Sequence, residues 1–262
     1  MDLGLKGKKA FISGSTAGIG LAIAQALHAE GADVIINGRT QERVDHALSL
    51  FSSGAGKTEG VAADLTTDAG AKTLLARVPR VDVLVNNLGI FEPKQFADIT
   101  DDEWRRFFDA NVLSGVRLAR LYLPQMLKQN WGRIIFISSE SAVQTPAEMI
   151  HYGMTKTAQL AVARGLAEMT AETGVTVNSV LPGPTESEGV GGFVDDMAKQ
   201  SGKTKADVQK EFFQTVRPSS LLKRFATTDE VAAMVAYVAS TKSAATNGTA
   251  LRVDGGVVRS IL

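Results

Sequence analysis

Short apolar runs alternate with stretches of helical periodicity along nearly the whole chain, and this alternation constrains the fold more than any other feature. We predict strands at residues 10–12, 34–36, 61–63, 81–85, 134–137, 175–181 and 250–253. Helical patterns fill the intervals, at residues 19–27, 41–50, 68–78, from 100 onward, 152–172 and 228–240. Apolar strands that are separated by helices are typical of a parallel sheet buried on both faces. The sequence therefore predicts an α/β fold with a doubly wound sheet.

Local signals mark two helix starts and one helix end. Thr100 with Glu103, and Thr227 with Glu230, have the spacing of a capping box, in which each side chain bonds the main chain of the other residue. Gly174 follows the helix predicted at residues 152–172, and glycine favours the left-handed conformation that ends many helices. We therefore expect helices to begin after both threonines and one to end at Gly174.

The chain has 262 residues without a linker, a repeat or a low-complexity run, which predicts a single domain over residues 1–262. Residues 185–220 depart from the alternation of strands and helices, because they are polar, glycine-rich at their start and rich in mixed charge. A segment of this length predicts a substrate-binding loop or lid with short helices of its own, or a plain surface insertion.

Composition excludes several classes of protein. The formal net charge is zero, whereas a nucleic-acid binder needs a basic surface to meet phosphates. The chain has no cysteine, which excludes disulfides, thiol catalysis and thiolate metal sites, and no paired-histidine spacing predicts a metal site. No apolar run approaches the ~20 residues of a membrane span, and we find no signal peptide. We therefore expect a cytoplasmic protein with no metal, nucleic-acid or membrane partner.

A glycine-rich turn follows the first predicted strand. Glycines allow the main chain to turn tightly beside a pyrophosphate, and the next helix offers free N–H groups and its positive dipole end. Such a turn is weak evidence alone, but here it lies between the first strand and first helix of an α/β pattern, as dinucleotide binding requires. The predicted cofactor-binding residues of the turn are Gly14, Ser15, Thr16, Gly18, Ile19 and Gly20.

The end of the second strand bears on the choice of dinucleotide. An NAD site usually places a carboxylate here to accept from the ribose 2′-hydroxyl, but this chain has Asn37, followed by Arg39. A guanidinium pairs well with a 2′-phosphate, which favours NADP(H). NAD(H) stays possible, since Arg39 could be a solvated loop residue. After the third strand come Asp64 and Leu65. Asp64 either bonds an adenine amino group or caps the next helix.

Tyr152 and Lys156 are four residues apart in a predicted helix, so they lie on one face. A tyrosine hydroxyl titrates near ~10, and we expect the ammonium of Lys156 to lower the pKa of Tyr152 toward neutrality. Tyr152 could then protonate a carbonyl oxygen or deprotonate an alcohol. The pair follows the fifth strand, where open α/β sheets bind ligands. Ser138 or Ser139, at the end of that strand, could donate to the same oxygen.

Further side chains near this pair are candidates for substrate contact. Glu140, Ser141 and Gln144 follow the two serines. His151 either lines the substrate pocket or is an N-terminal helix residue with a local hydrogen bond. The sequence does not distinguish these interpretations.

These motifs occur in the order found in the short-chain dehydrogenase/reductase family, which the chain resembles over essentially its whole length. The glycine turn resembles that family's cofactor signature, and residues 86–89 resemble its Asn-Asn-Ala-Gly sequence, with Leu88 in place of alanine. Residues 247–248 and 254–256 resemble its C-terminal signature. The resemblance implies a single-domain Rossmann fold with seven parallel strands and helices on both faces, and a homotetramer as the usual assembly.

The resemblance also implies roles for individual residues. Asn111 matches the family's catalytic asparagine, which holds a water in a proton relay to the lysine. Ser139 lies at the family's usual separation from Tyr152, which favours it over Ser138. The implied catalytic residues are Ser139, Tyr152, Lys156 and Asn111. The implied further cofactor contacts are Asn87, Gly89, Tyr152, Lys156, Pro182, Gly183 and Thr185.

The function that these residues favour is an NADP(H)-dependent oxidoreductase that interconverts a carbonyl and a secondary alcohol on a small molecule. The main alternative is a 3-oxoacyl-[acyl-carrier-protein] reductase. An acidic carrier protein would need a basic docking surface, but the substrate loop begins with Glu186, Glu188, Asp195 and Asp196. Lys199, Lys203 and Lys205 weaken that objection. A non-catalytic dinucleotide-binding module is an alternative of another class, and it would have no reason to keep the four catalytic residues together.

Overall fold

The computed structural model describes residues 1–52, 56–187, 192, 198–199 and 202–261. Its strands in this part of the chain are β1 (Lys9–Ile12), β2 (Asp33–Gly38), β3 (Thr58–Ala62), β4 (Val83–Asn86), β5 (Gly132–Ile137), β6 (Val175–Pro182), β7 (Thr185–Glu186), β8 (Ala226–Thr227) and β9 (Ala250–Val253). Its α-helices there are α1 (Gly18–Ala29), α2 (Gln41–Ser49), α3 (Asp68–Arg77), α4 (Asp101–Phe108), α5 (Ser114–Lys128), α6 (Ile150–Glu168), α7 (Lys205–Thr215) and α8 (Thr228–Ala239).

The main sheet has seven parallel strands in the order β3-β2-β1-β4-β5-β6-β9, which confirms the predicted Rossmann architecture. Ile12 of β1 pairs with Ile36 of β2 on one side and with Val85 of β4 on the other. The strand order therefore reverses between β1 and β4, and a crevice opens there at the carboxyl ends of the strands. The glycine turn and the loops after β4, β5 and β6 all lie at this edge of the sheet.

Helices cover both faces of the sheet. On one face Ile23 and Leu27 of α1 lie in the same buried cluster as Val231 and Val235 of α8. On the other face, side chains of α3, α5 and α6 pack against β1, β4 and β5 in a second buried cluster. Burying each large aliphatic side chain contributes roughly 1.5–3 kcal/mol, so the sheet is a rigid platform for the loops at its edge. Within the described residues, no helix has the length and apolar character needed to cross a membrane.

Both predicted capping boxes are present, at Thr100 with Glu103 and at Thr227 with Glu230. The helix that begins after Thr100 is not continuous, however. It ends at Phe108, a π-helical turn follows at Asp109–Leu113, and α5 continues the path. Turns of this kind occur frequently at functional sites, and this one contains Asn111.

The prediction that Gly174 ends the sixth helix was wrong, because α6 already ends at Glu168. The hydroxyl of Thr170 donates to the carbonyl of Ala167 at 2.8 Å and draws the chain into a turn. Glu172, with φ of 62°, takes the left-handed conformation instead of the glycine. Gly174 lies just before β6, where a Cβ atom would stand 2.3 Å from the carbonyl oxygen of Asn130.

The segment 185–220, predicted as a substrate loop or lid, contains β7 and α7. β7 pairs with β8 in a separate two-stranded sheet, and α7 is capped by Thr204. Residues 188–191, 193–197 and 200–201 lie outside the described residues. The acidic residues Glu188, Asp195 and Asp196 are among them.

Candidate active site

Close packing shapes the glycine turn. Gly14 has φ of +60°, and a Cβ atom at Gly20 would lie 2.5 Å from the Nδ2 atom of Asn87 and 2.5 Å from the carbonyl oxygen of Gly14. Asn87 donates from that Nδ2 atom to the carbonyls of Ser13 at 3.0 Å and Gly14 at 2.9 Å. A larger residue at position 20 would push these groups apart, so glycine is required there. Asn87 thereby bonds the loop after β4 to the turn.

Asn37 and Ser15 brace the turn from inside the protein. Asn37 is buried, and its Nδ2 atom donates to the carbonyls of Val61 at 3.0 Å and Ala63 at 3.1 Å. Its Oδ1 atom accepts from the N–H of Gly14 at 3.2 Å. Ser15 is fully buried and donates to the carbonyl of Ile12 at 2.7 Å. The amide that replaces the usual carboxylate therefore cross-links β2, β3 and the turn.

A cavity of about 240 Å³ lies between the glycine turn and the loops after β2, β3 and β4. Its lining includes the predicted residues Gly14, Thr16, Arg39, Asp64, Leu65 and Gly89. It also includes Arg43, which is not among the predicted residues. Arg43 lies four residues after Arg39 in the first turn of α2, and that spacing was the available signal. Both arginines are exposed, so two guanidinium groups border one cavity.

Asp64 lines this cavity but does not cap the next helix. The N-cap of α3 is Thr67, whose side chain accepts from the N–H of Gly70. Asp64 instead accepts from the N–H of Thr66 at 3.0 Å and from its hydroxyl at 2.7 Å. The helix-cap interpretation was therefore wrong, and the carboxylate holds the tight turn before α3.

The predicted contacts after β6 lie at the same edge of the sheet but outside the lining of this cavity. Pro182 ends β6, and the N–H of Gly183 donates to the carbonyl of Val253 at 3.0 Å. The hydroxyl of Thr185 donates to the carbonyl of Gly183 at 2.9 Å. The bond to Val253 therefore ties this turn to the end of β9.

α6 positions Tyr152 and Lys156 at the carboxyl ends of the strands. The Nζ atom of Lys156 lies 5.5 Å from the centroid of the Tyr152 ring and donates to the carbonyl of Ile137 at 2.9 Å. Ser139 lies close enough to Tyr152 to lower the pKa of its phenol. The hydroxyl of Ser138 instead donates to the main-chain carbonyl of Lys156 at 2.9 Å. Ser139, rather than Ser138, is therefore the serine that acts on Tyr152.

The pKa of Tyr152 shifts in the direction opposite to the prediction. Burial raises the pKa of Tyr152 above its ordinary value, and the charge of Glu140 raises it further. The hydroxyl of Ser139 and the charge of Arg217 oppose that rise. Burial lowers the pKa of Lys156 to about 8. Since the ammonium of Lys156 bonds Ile137, the loss of hydration at Tyr152 dominates, and its phenol is protonated at neutral pH.

Asn111 is buried and bonds several neighbours within the protein. Its Oδ1 atom accepts from the N–H of Ile90 at 2.7 Å, and its Nδ2 atom donates to the carbonyl of Ile90 at 3.0 Å and to Thr155 at 2.9 Å. Its main-chain carbonyl accepts from the Nε2 atom of Gln159 at 2.5 Å. A Cβ atom at Gly89 would stand 3.4 Å from both Lys156 Nζ and Asn111 Oδ1, so the two predicted catalytic residues are neighbours. Gln159 is not among the predicted site residues.

A buried ion cluster adjoins Ser139. The hydroxyl of Ser139 donates to the Oε2 atom of Glu140 at 2.5 Å, and Glu140 is only 5% exposed. Arg217 approaches Glu140 at 3.4 Å and Glu148 at 3.0 Å. Arg217 follows α7, 77 positions after Glu140, and no local sequence pattern indicates that the two residues meet. The cluster joins the predicted substrate loop to the serine.

Aromatic side chains flank Tyr152 and His151. Phe91, 48% exposed, meets the ring of Tyr152 edge-on at 6.4 Å. His151 is buried against Phe107, at 4.0 Å between ring centroids, and near Trp104. Its Nδ1 atom has no hydrogen-bond partner among the described residues. His151 therefore packs against α4, and Phe91 is the exposed aromatic beside the tyrosine.

Comparisons with known proteins agree with this arrangement. A family model described as enoyl-(acyl carrier protein) reductase matches residues 14–258. The uncharacterized oxidoreductase YvrD of Bacillus subtilis is 48% identical, with 100% of each chain covered. Dehydrogenase/reductase SDR family member 4 of Caenorhabditis elegans is 33% identical over 96% of this chain and 95% of its own. The chain belongs to the short-chain dehydrogenase/reductase family.

A solved structure gives a further likeness within the short-chain dehydrogenase/reductases. The L-sorbose reductase of Gluconobacter frateurii, in complex with NADPH and L-sorbose, superposes with a TM-score of 0.93. It is 29% identical, and the match covers 100% of both chains. As a member of this family, the protein is an NAD(P)-binding oxidoreductase that acts on CH–OH groups.

Proposed function

We propose that this short-chain dehydrogenase/reductase is an NADP(H)-dependent enzyme that interconverts a carbonyl group and a secondary alcohol on a small molecule. One observation carries the proposal. Tyr152 lies beside buried Lys156, with Ser139 close enough to lower the pKa of its phenol, at the sheet edge that holds the glycine turn. Hydroxyl donors that converge on one point can stabilise the charge that develops on a carbonyl oxygen.

The residues at the sheet edge fit a dinucleotide. The turn at Gly14 and Gly20 leaves no side chain between the main chain and the cavity, and α1 directs its N-terminus there. Arg39 and Arg43 border the cavity, and guanidinium groups pair well with a 2′-phosphate, which supports NADP(H). When bound, the nicotinamide would supply the hydride for reduction or accept it in the reverse direction.

The protein's own groups handle the proton. Tyr152 donates its phenolic proton to the substrate oxygen as the carbonyl carbon is reduced, and Ser139 donates a hydrogen bond to the same oxygen. Lys156 compensates the negative charge that remains on Tyr152. Because the pKa of Tyr152 is raised, its phenol is protonated at neutral pH and can serve as the acid for carbonyl reduction. The likeness to an NADPH-bound L-sorbose reductase also supports this direction.

Replacing Tyr152 with Phe tests the proposal, because it removes the proton donor and keeps the ring. Ketone-dependent oxidation of NADPH should fall by at least about 10³-fold, while NADPH binding, measured by fluorescence titration, should be largely unchanged. The wild-type protein should use NADPH better than NADH. Full activity of Tyr152→Phe would contradict the role of the tyrosine. A strong preference for NADH would contradict the roles of Arg39 and Arg43.

A further inference from the structure

Glu140 places a buried carboxylate at the point where the substrate oxygen would bind. Its Oε2 atom lies 2.5 Å from the hydroxyl oxygen of Ser139 and accepts its proton. The Ser139 hydroxyl also accepts from the N–H of Ser141 at 3.1 Å. A serine hydroxyl has one proton, so Ser139 cannot donate to Glu140 and to a substrate oxygen at once. Binding of a carbonyl oxygen by Ser139 therefore frees an acceptor on Glu140.

The same carboxylate has little freedom to turn away. Its other oxygen faces the guanidinium of Arg217, at 3.4 Å, and Arg217 is itself held by Glu148 at 3.0 Å. Glu140 and Arg217 are 5% and 9% exposed. An unpaired buried acceptor costs about 1–3 kcal/mol, so the freed Oε2 atom favours a substrate that brings its own donor.

A hydroxyl group on the carbon next to the carbonyl is that donor. In an α-hydroxy ketone the two oxygens lie on neighbouring carbon atoms, so a carbonyl oxygen bound by Ser139 brings the hydroxyl group close to Glu140 Oε2, which is next to the serine hydroxyl. Ser139 can then bond the carbonyl oxygen while Glu140 accepts from the hydroxyl group.

The charge of the cluster argues against an anionic substrate. Two carboxylates, Glu140 and Glu148, share one guanidinium, so the group carries net negative charge. The Nε and Nη1 atoms of Arg217 donate to these carboxylates and to the carbonyl of Val216. A substrate carboxylate at this point would meet repulsion from Glu140.

We propose that Glu140 is a specificity-determining residue that selects neutral α-hydroxy ketones, and in the reverse direction vicinal diols, by accepting a hydrogen bond from the hydroxyl beside the reacting carbon. This inference rests on the proposed carbonyl reduction. It assigns to the enzyme a polyhydroxylated substrate class, such as ketoses.

Matched ketones test the inference. Hydroxyacetone and butanone differ by a hydroxyl group in place of a methyl group, and pyruvate adds a carboxylate. We expect the wild-type enzyme, assayed by NADPH oxidation, to show kcat/KM for hydroxyacetone about tenfold or more above that for butanone, and negligible turnover of pyruvate. L-Sorbose serves as the larger α-hydroxy ketone. Equal or inverted preference within the matched pair would overturn the inference, and this measurement needs no variant.

Glu140→Gln keeps the size of the side chain and removes its charge. Because an amide accepts less strongly than a carboxylate, the hydroxyacetone-to-butanone ratio should fall about tenfold, whatever happens to the overall rate. Glu148→Gln is the matched control, since it also touches Arg217 but not Ser139, and it should keep the wild-type ratio. An unchanged ratio in Glu140→Gln would contradict the role of the carboxylate. Absence of turnover for every ketone with the wild-type enzyme would instead contradict the proposed function itself.

Discussion

Ser138 and Ser139, at the end of β5, carry the same side chain but point it in different directions. Successive side chains of a strand point to opposite faces, so one hydroxyl reaches the main chain of α6 and the other reaches Glu140. Ser138 donates to the carbonyl of Lys156 at 2.9 Å, while Ser139 donates to Glu140 at 2.5 Å. The role of each serine therefore depends on its neighbours, and the residue type alone leaves both roles open.

Burial of the charged Lys156 side chain lowers the stability of the folded protein. Burial lowers its pKa from 10.5 to about 8, so the unfolded chain binds more protons than the native protein between these values, and stability rises with pH there. Below pH 8 the full free-energy penalty for burying the charged lysine is present, on the order of 3 kcal/mol. We predict that Lys156→Met abolishes activity yet raises the free energy of unfolding at pH 7 by about 2 kcal/mol, after the lost bond to Ile137 is included.

Guanidinium chloride unfolding at pH 7 and pH 10 measures this effect. The gain from Lys156→Met should shrink at the higher pH, because the native lysine is already neutral while the unfolded lysine is only partly charged. Lys128→Met is the control, because Lys128 is exposed at the end of α5, and it should leave stability nearly unchanged at both values. A loss of stability in Lys156→Met at pH 7 would contradict the predicted penalty.

Among the elements, the π-helical turn at Asp109–Leu113 links the helices to the active site. Asn111 in this turn bonds Ile90 through its side chain and Gln159 of α6 through its carbonyl. We predict that Gln159→Leu lowers the free energy of unfolding by about 1 kcal/mol and lowers kcat by about tenfold, because the turn would no longer be fixed against the helix that carries Lys156. Urea unfolding and steady-state kinetics measure the two effects.

Gln125→Leu separates a general loss of stability from a loss of position. Gln125 on α5 donates to the carbonyl of Val81 at 3.1 Å, at the amino end of the sheet and away from Tyr152. This variant should lose a similar amount of stability and keep the wild-type kcat. If Gln159→Leu also kept the wild-type kcat, the turn would not position the catalytic residues.

Elements with local signals were predictable, and contacts between distant segments were not. The capping boxes at Thr100 and Thr227 depend on side chains three residues apart, so the sequence shows them directly. The prediction that α6 ends at Gly174 failed because a threonine hydroxyl in the preceding turn bonds the main chain, and α6 ends before the glycine. Arg217 meets Glu140 only through the path of the substrate loop. A pattern read along the chain cannot detect such a pair, and for the same reason it could not detect that burial outweighs Lys156 at Tyr152.

At the scale of the whole molecule, one apolar cluster spans the cofactor and catalytic halves of the sheet. Its buried members come from all the strands from β1 to β6 except β3 and from the helices α1, α2 and α8, and they include Ile12, Ile36, Ile137, Val180 and Val235. Because no strand in this cluster can leave without exposing its neighbours, we propose that the described sheet and its helices unfold as one cooperative unit.

The two tryptophans test this proposal, because they report on opposite ends of the sheet. Trp131 lies just before β5 and contacts Lys8, whereas Trp104 lies on α4 beside His151. Each of the variants Trp104→Phe and Trp131→Phe keeps one tryptophan. In each variant, the urea midpoint from the fluorescence of that tryptophan should equal the midpoint from far-ultraviolet circular dichroism. Comparison within each variant cancels any change in stability that the substitution causes. A fluorescence midpoint for Trp104 below the midpoint of its own circular dichroism curve would show that the catalytic end opens before the sheet, and would contradict a single cooperative unit.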